Sequence, residues 1–183
     1  MKEAARPVAA PSPYELIPPI LLSTLMMTFS IVEAGVAMRA CSGEAEEMRM
    51  ATDFFRLPVP IATPIKMIVG PGILLLIPKI IMEDILPLKR GTATQKKPHI
   101  FGILHLVPIF LIFLTVPKAI AAADSAKSEQ GLSYVDAEQL RSANLMLIGI
   151  CMLIMVLSVL QVKAKAEIAN KVQYSAMATA GDP

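Results

Sequence analysis

The sequence predicts an all-α, polytopic membrane protein: a small bundle of four transmembrane helices, the second of them kinked by proline. The first observation behind this is where the apolar residues fall. Fifty-five per cent of the 183 residues are hydrophobic and 17% are charged, with a mean hydropathy of +0.60. They gather in four blocks of bilayer length instead of recurring at the amphipathic spacing of a surface helix in water. The second observation is the stretch 58–82, PVPIATPIKMIVGPGILLLIPKIIM, apolar enough and long enough to cross lipid. It carries Pro64, Pro71 and Pro78 at seven-residue intervals, with Gly70 and Gly72 beside the middle one. A helix with so many breakers survives where neighbouring helices support its freed backbone groups. The third observation is that the segments between the blocks are short and polar, which leaves one membrane domain, 18–162, and no sizeable soluble one.

Residues 1–17 are rich in Ala and Pro and read as an extended lead. Arg and Ser are too few there for a transit peptide, and the apolar run that follows is too long for a signal-peptide core. The first span, about 18–38, is therefore its own insertion signal. Proline suits its first turn. Ser23, Ser30 and Ala37 recur every seven residues with Ala34 beside them, a face that lets another helix approach closely. The first loop is polar, with Phe54 and Phe55 as interface anchors and a weakly periodic surface helix over 44–55. The second span is 58–82. The second loop holds a basic cluster, Lys89, Arg90, Lys96 and Lys97, which sets topology and offers a secondary site for anionic lipid headgroups. The third span, about 100–122, contains His105, Pro108 and Pro117. Ser133 and Asp136 form a helix-start pattern ahead of the proline-free fourth span, about 142–162. The tail, 163–183, reads as a helical extension that loosens into small residues.

Lys and Arg counts orient such a protein. Nine of the 17 lie in the two tails and the second loop, while the first and third loops carry four acidic residues each. This favours both termini on the cytoplasmic side, or the matrix or stromal side in an organelle of bacterial origin.

Charges inside the spans are the candidate functional groups, because burying one in lipid costs about 2.5–3.5 kcal/mol on insertion scales. Glu33 and Lys66 lie at similar depth below the outer boundary, so an intramembrane ion pair fixing the register of the first two helices is the expectation. A titrating Glu33 in an ion path is the sharper alternative, and no further carboxylates line such a route. The Gly70–Pro71–Gly72 centre is read as a helix kink, with an unwound, ion-coordinating segment as the alternative. His105 has no second His, Cys or carboxylate one turn away, so an interhelical hydrogen bond is favoured over a ligand role. Lys79 is expected to reach Glu83 and Asp84, one turn on.

A net charge of +2, with no basic stripe interleaved with aromatics, sets nucleic acid aside. Cys41 lies in a loop and Cys151 in mid-span, which argues against a bridge. No metal or cofactor motif stands out, and no catalytic residue is assigned. The first functional reading is a non-catalytic accessory or interaction subunit of a larger membrane complex, its partners being membrane lipids and other membrane subunits or further copies of itself. The second is a small oligomeric transporter or channel-like protein using the broken second span. The third is a small membrane enzyme acting on a lipid-like or quinone-like substrate with His105 or Glu33 as acid or base.

Overall fold

In a computed structural model the described residues are 13–57, 72, 75–91 and 96–180. Among them every regular element is helical and no strand occurs. A 3-10 turn, Pro13–Glu15, leads into α1, Ile17–Ala40, followed by α2, Ala45–Arg56. After most of the second apolar block come α3, Leu76–Ile80, a π-helical turn, Ile81–Ile85, and α4, Leu86–Lys89. Then follow α5, Lys97–Leu104, α6, Leu106–Ser125, and α7, Tyr134–Ala180. Among the described residues three helices are long and apolar enough to cross a membrane: Ile17–Ala40, the end-to-end pair over Lys97–Ser125, and Tyr134–Tyr174. Pro64, Lys66, Gly70 and Pro71 lie outside the described residues, so the centre of the second predicted span does too.

The bundle is organised around α7, which runs along α1, α5 and α6. Cys41 Sγ meets Glu138 Oε2 at 3.5 Å, and Thr24 Oγ1 meets Met155 Sδ at 3.9 Å. Moving 17 residues down α1 thus moves 17 residues up α7, a straight antiparallel pairing. Glu15 continues it, meeting Lys165 Nζ at 2.7 Å. The small-residue face read from the sequence is the buried face of α1: Ser23, Ser30, Ala34 and Ala37 all lie on it, together with Met26 and Glu33. Lipid supplies little hydrophobic drive between helices, so close backbone approach through small residues has to supply the packing.

Two apolar cores result. One joins Met26, Ile80, Ile109, Ile112 and Ile154 along the length of the bundle. The other closes the end where α1 stops and α7 starts, and is built from Ala37, Ala40, Ala51, Phe55, Leu132 and Leu140. Here the first loop differs from its sequence reading. α2 packs on α1 and α6, and Phe55 is fully buried, edge-on to Phe54 with ring centroids 5.1 Å apart. It is a core residue and no interface anchor. Arg56 holds α2 down: Nε donates to the Ala126 carbonyl and Nη2 to the Ser128 carbonyl, each at 2.7 Å. Those carbonyls follow the end of α6, where backbone acceptors lack helical partners. The Thr52 hydroxyl accepts from the Leu132 amide at 3.1 Å. Gly131, at φ +74°, turns the chain beside Thr52, a backbone conformation glycine adopts without strain.

The third apolar block is two helices. Pro108 has no N–H to give the Leu104 carbonyl, and its ring crowds that oxygen. The helix breaks at His105, whose amide instead bonds three residues back to Gly102 at 3.1 Å. Pro117 leaves α6 continuous. The fourth block is one part of a 47-residue helix, about 70 Å long at 1.5 Å per residue. Its start uses the pattern read from the sequence: the Asp136 amide donates to Ser133 Oγ at 3.1 Å and the Ser133 amide to Asp136 Oδ2 at 3.4 Å. Past the apolar stretch the helix continues through residue 180. Both cysteines are free thiols.

Candidate functional site

The end of the bundle where α1 begins and the apolar part of α7 stops collects buried polar side chains. It starts with Pro87. A proline there has no N–H to donate to the Glu83 carbonyl, and an α-helical backbone would clash. The chain inserts a π turn instead, the Leu86 amide reaching back five residues to the Ile81 carbonyl. Such single-turn π segments recur at functional sites. This one packs against α5 and carries Asp84 inward to 4% exposure, while Glu83 beside it stays exposed. Lys79, expected to reach both acids, sits on an exposed face of α3, and Asp84 is held by other groups.

His99 Nδ1 lies 3.1 Å from Asp84 Oδ1. The Gln161 amide donates to both carboxylate oxygens, at 3.3 and 3.4 Å. The carboxylate lies on the α-carbon of Gly102, in the space any larger side chain would fill. Three elements far apart in sequence therefore meet on one carboxyl group. A buried acid without such partners would face a desolvation cost of several kcal/mol.

Beside it, His105 sits at the α5–α6 break with 6% of its surface exposed. Its Nδ1 is 2.8 Å from the Phe101 carbonyl, and a carbonyl only accepts, so Nδ1 carries a proton. Its Nε2 is 3.1 Å from Ser158 Oγ, and Ser158 lies 2.8 Å from the Ile154 carbonyl as a donor. The Ile154 carbonyl also takes the Ser158 backbone amide, one helical turn on, so the hydroxyl is free to turn to Nε2 and a neutral imidazole with its proton on Nδ1 leaves every group of the pair partnered.

Asp84, His105, Ser158 and Gln161 line a cleft of about 380 Å³. Its walls are the start of α1 with Tyr14 and Glu15 ahead of it, α3 with the π turn, His105, and the Ser158–Lys165 stretch of α7. Pro18, Pro19, Leu76, Ile80 and Val162 make its apolar part. The Glu15–Lys165 pair closes one rim, both side chains partly exposed.

The sequence-predicted residues are distributed differently. Of them, His105 lines the cleft. Glu33 is buried, at 3% exposure, on the α7-facing side of α1, 18 residues or about 27 Å along the axis from Glu15. Its assigned partner Lys66 lies outside the described residues. Gly72 lies near the Leu22 side chain. Of the basic cluster, Lys89, Arg90 and Lys96 are exposed, and Lys97 Nζ is 3.7 Å from Glu167 Oε2 across an exposed gap, a pairing worth little in water. His99, Ser158 and Gln161 were not singled out by the sequence reading, and Asp84 entered it as a partner for Lys79 alone. Asp84 and His99 fell in what reads as a polar loop. The available signals were Pro87 three residues after Asp84, and Ser158 and Gln161 as polar interruptions of the most apolar span. Among the described residues no group of three or more His, Cys, Asp or Glu side chains is placed to hold a metal ion. No family model, no curated protein and no solved structure matches this chain.

Proposed function

We propose that this chain is a four-span integral membrane protein that serves as a non-catalytic accessory or interaction subunit of a larger membrane assembly. The fourth crossing is the 58–82 block, entering after α2 and leaving through α3. It lets α1 and the α5–α6 pair run the same way, as short connections in an up-down bundle require. Both termini then lie on the cytoplasmic, matrix or stromal side, with the Lys89–Lys97 segment facing anionic headgroups there.

The observation that carries the subunit reading is α7 beyond its apolar stretch. Eighteen residues, 163–180, continue as helix. Among the side chains described, which run to Tyr174, the last buried one is Ile168, and Val172 and Tyr174 stand 46% and 71% exposed. A rod of about 27 Å projecting from the membrane and ending in exposed apolar and aromatic side chains is a handle for another subunit. Gentle detergent extraction followed by native electrophoresis tests this. The full chain migrates with a large complex, and a chain ending at residue 169 leaves it while staying in the membrane. Migration of the full chain as a monomer or small homo-oligomer refutes the reading.

A further inference from the structure

We infer that the cleft binds the head of a zwitterionic phospholipid with a primary ammonium, the phosphate met by Lys79, the ammonium by Glu83, and the acyl chains leaving past Pro18 and Leu76. This rests on the membrane placement proposed above and is independent of the subunit role.

Two opposite charges that the backbone keeps apart carry the inference. Lys79 and Glu83 stand four residues apart, the spacing at which an α-helix brings such a pair together. The π turn begins at Ile81 and closes its bonds over five residues instead of four, so Glu83 falls short of a full turn from Lys79. Both side chains line the cleft and both are exposed. Among the described residues neither has an ion-pair partner. The other charges of the lining are engaged. Lys165 is met by Glu15 at 2.7 Å, and the oxygens of Asp84 by His99 and Gln161. One cation and one anion are therefore left on the same wall. An anionic head would satisfy Lys79 and confront Glu83, and a cationic head the reverse; a zwitterion answers both. A carboxylate accepts hydrogen bonds from a primary ammonium. A quaternary one is held by cages of Trp, Tyr or Phe, and of these the lining has Tyr14 alone.

The position selects a lipid over a free solute. The walls lie where apolar blocks begin or end: Pro18 in the first turn of α1, Ile80 just before the π turn, and Ser158 to Val162 at the close of the apolar part of α7. In the proposed placement this is the depth of the headgroups. On the apolar side, Ile17, Leu21 and Leu75 are 53%, 55% and 75% exposed, a surface for acyl chains beside Pro18 and Leu76. The volume of about 380 Å³ lies at the small end of ligand sites and suits a head whose chains stay outside.

The experiment uses the full chain in detergent micelles, with dioctanoylphosphatidylethanolamine radiolabelled in the ethanolamine as probe. Saturable binding is expected. The dioctanoyl forms of phosphatidylglycerol and phosphatidylcholine compete more weakly, and free phosphoethanolamine does not compete at the same concentration. Lys79→Gln and Glu83→Gln each weaken binding about two- to fivefold, the worth of an ion pair open to solvent. Glu83→Gln also removes the preference over phosphatidylglycerol, a change of selectivity that a merely structural role would not produce. Both side chains are exposed and unpaired, so the unfolding midpoints of these variants stay unchanged. Val162→Trp, which fills the cleft and leaves every charge in place, abolishes binding. Absence of saturable binding, equal affinity for the three lipids, or binding that survives Val162→Trp or both charge variants overturns the inference. So does displacement by free phosphoethanolamine at comparable concentration, which would assign the site to a soluble zwitterion. Liposome flotation of the same preparations separates the two claims: a chain that floats but binds no phosphatidylethanolamine is a membrane protein whose cleft is otherwise used, and a chain that does not float loses the placement as well.

Discussion

The Asp84 carboxylate rests on the backbone of Gly102, occupying the volume where any other residue would place its β-carbon. The π turn on one side and a glycine on the other are complementary halves of one fit. The short aspartate has little freedom to retreat, because His99 and Gln161 hold both of its oxygens.

Gly102→Ala is therefore expected to destabilise the bundle by about 1–3 kcal/mol, the usual cost of overpacking. Asp84→Ala removes the obstacle at the cost of the hydrogen bonds. Combined, the two changes are less damaging than their sum, since the second removes what the first collides with. Thermal unfolding of the four proteins in one detergent measures the coupling. Strict additivity would place the two residues out of contact.

Gln161→Leu takes two donor contacts from a buried carboxylate and leaves His99 as its partner among the described residues. A loss of about 1–3 kcal/mol is expected. Asp84→Asn in the Gln161→Leu background recovers part of it, because a neutral carboxamide tolerates burial better than a charge. The same unfolding measurement checks this. Equal stability of the single and double variants would place the carboxylate in contact with water.

At the opposite end, Arg56→Met removes two charged donors from the carbonyls that follow α6. The change is expected to cost about 1.5–3 kcal/mol and to free α2. Amide exchange over 45–56 should accelerate by tenfold or more, while exchange in the apolar part of α7 stays unchanged. Slow exchange at α2 in the variant would assign its anchoring to Phe55 and Ala51 alone.

Cys41 gives a pH-dependent readout outside the spans. Burial pushes its thiol above the ordinary cysteine range, and the hydrogen bond and negative charge of Glu138 add to the rise; Arg141 works against them. A raised value means less thiolate at pH 8, so maleimide reacts more slowly than with an unhindered thiol, and the rate still climbs with pH above 9. Glu138→Gln removes the charge, lowers the thiol's value and speeds the reaction at pH 8. An unchanged rate would exclude the carboxylate as a cause. With a membrane-impermeant maleimide and intact vesicles, the same cysteine reports which side the α1–α2 turn faces.

The spans were legible because lipid imposes a length and a polarity that composition records directly: α1, the α5–α6 pair and the apolar part of α7 fall on blocks read from hydropathy. The small-residue face of α1 was legible for a related reason, since Ser23, Ser30 and Ala37 recur at helical spacing and only one helix face fits them. The packing of α2 was not. Ala51 and Thr52 are weak signals of burial, and Phe55 is buried in a cluster with alanines from α1, α6 and α7, invisible along the chain. The cleft was hidden by backbone irregularity. A five-residue π turn shifts every later side chain off the 3.6-residue pattern, so Asp84 reads as a loop residue. The break at His105 followed from Pro108, which the sequence displayed, but its meeting with Ser158 joins residues 53 apart in sequence.

The antiparallel pairing of α1 with α7 bears on biogenesis. The ribosome finishes α1 when more than ninety residues still separate it from the start of α7, about five to twenty seconds of synthesis. In the membrane placement proposed above, Ser23, Ser30 and Glu33 enter the bilayer throughout that interval without the helix that later covers them. Insertion must hold a half-made polar seam in lipid until the final segment arrives. A nascent chain released before α7 emerges would be a substrate for membrane quality control, even though it already contains the larger part of the apolar sequence.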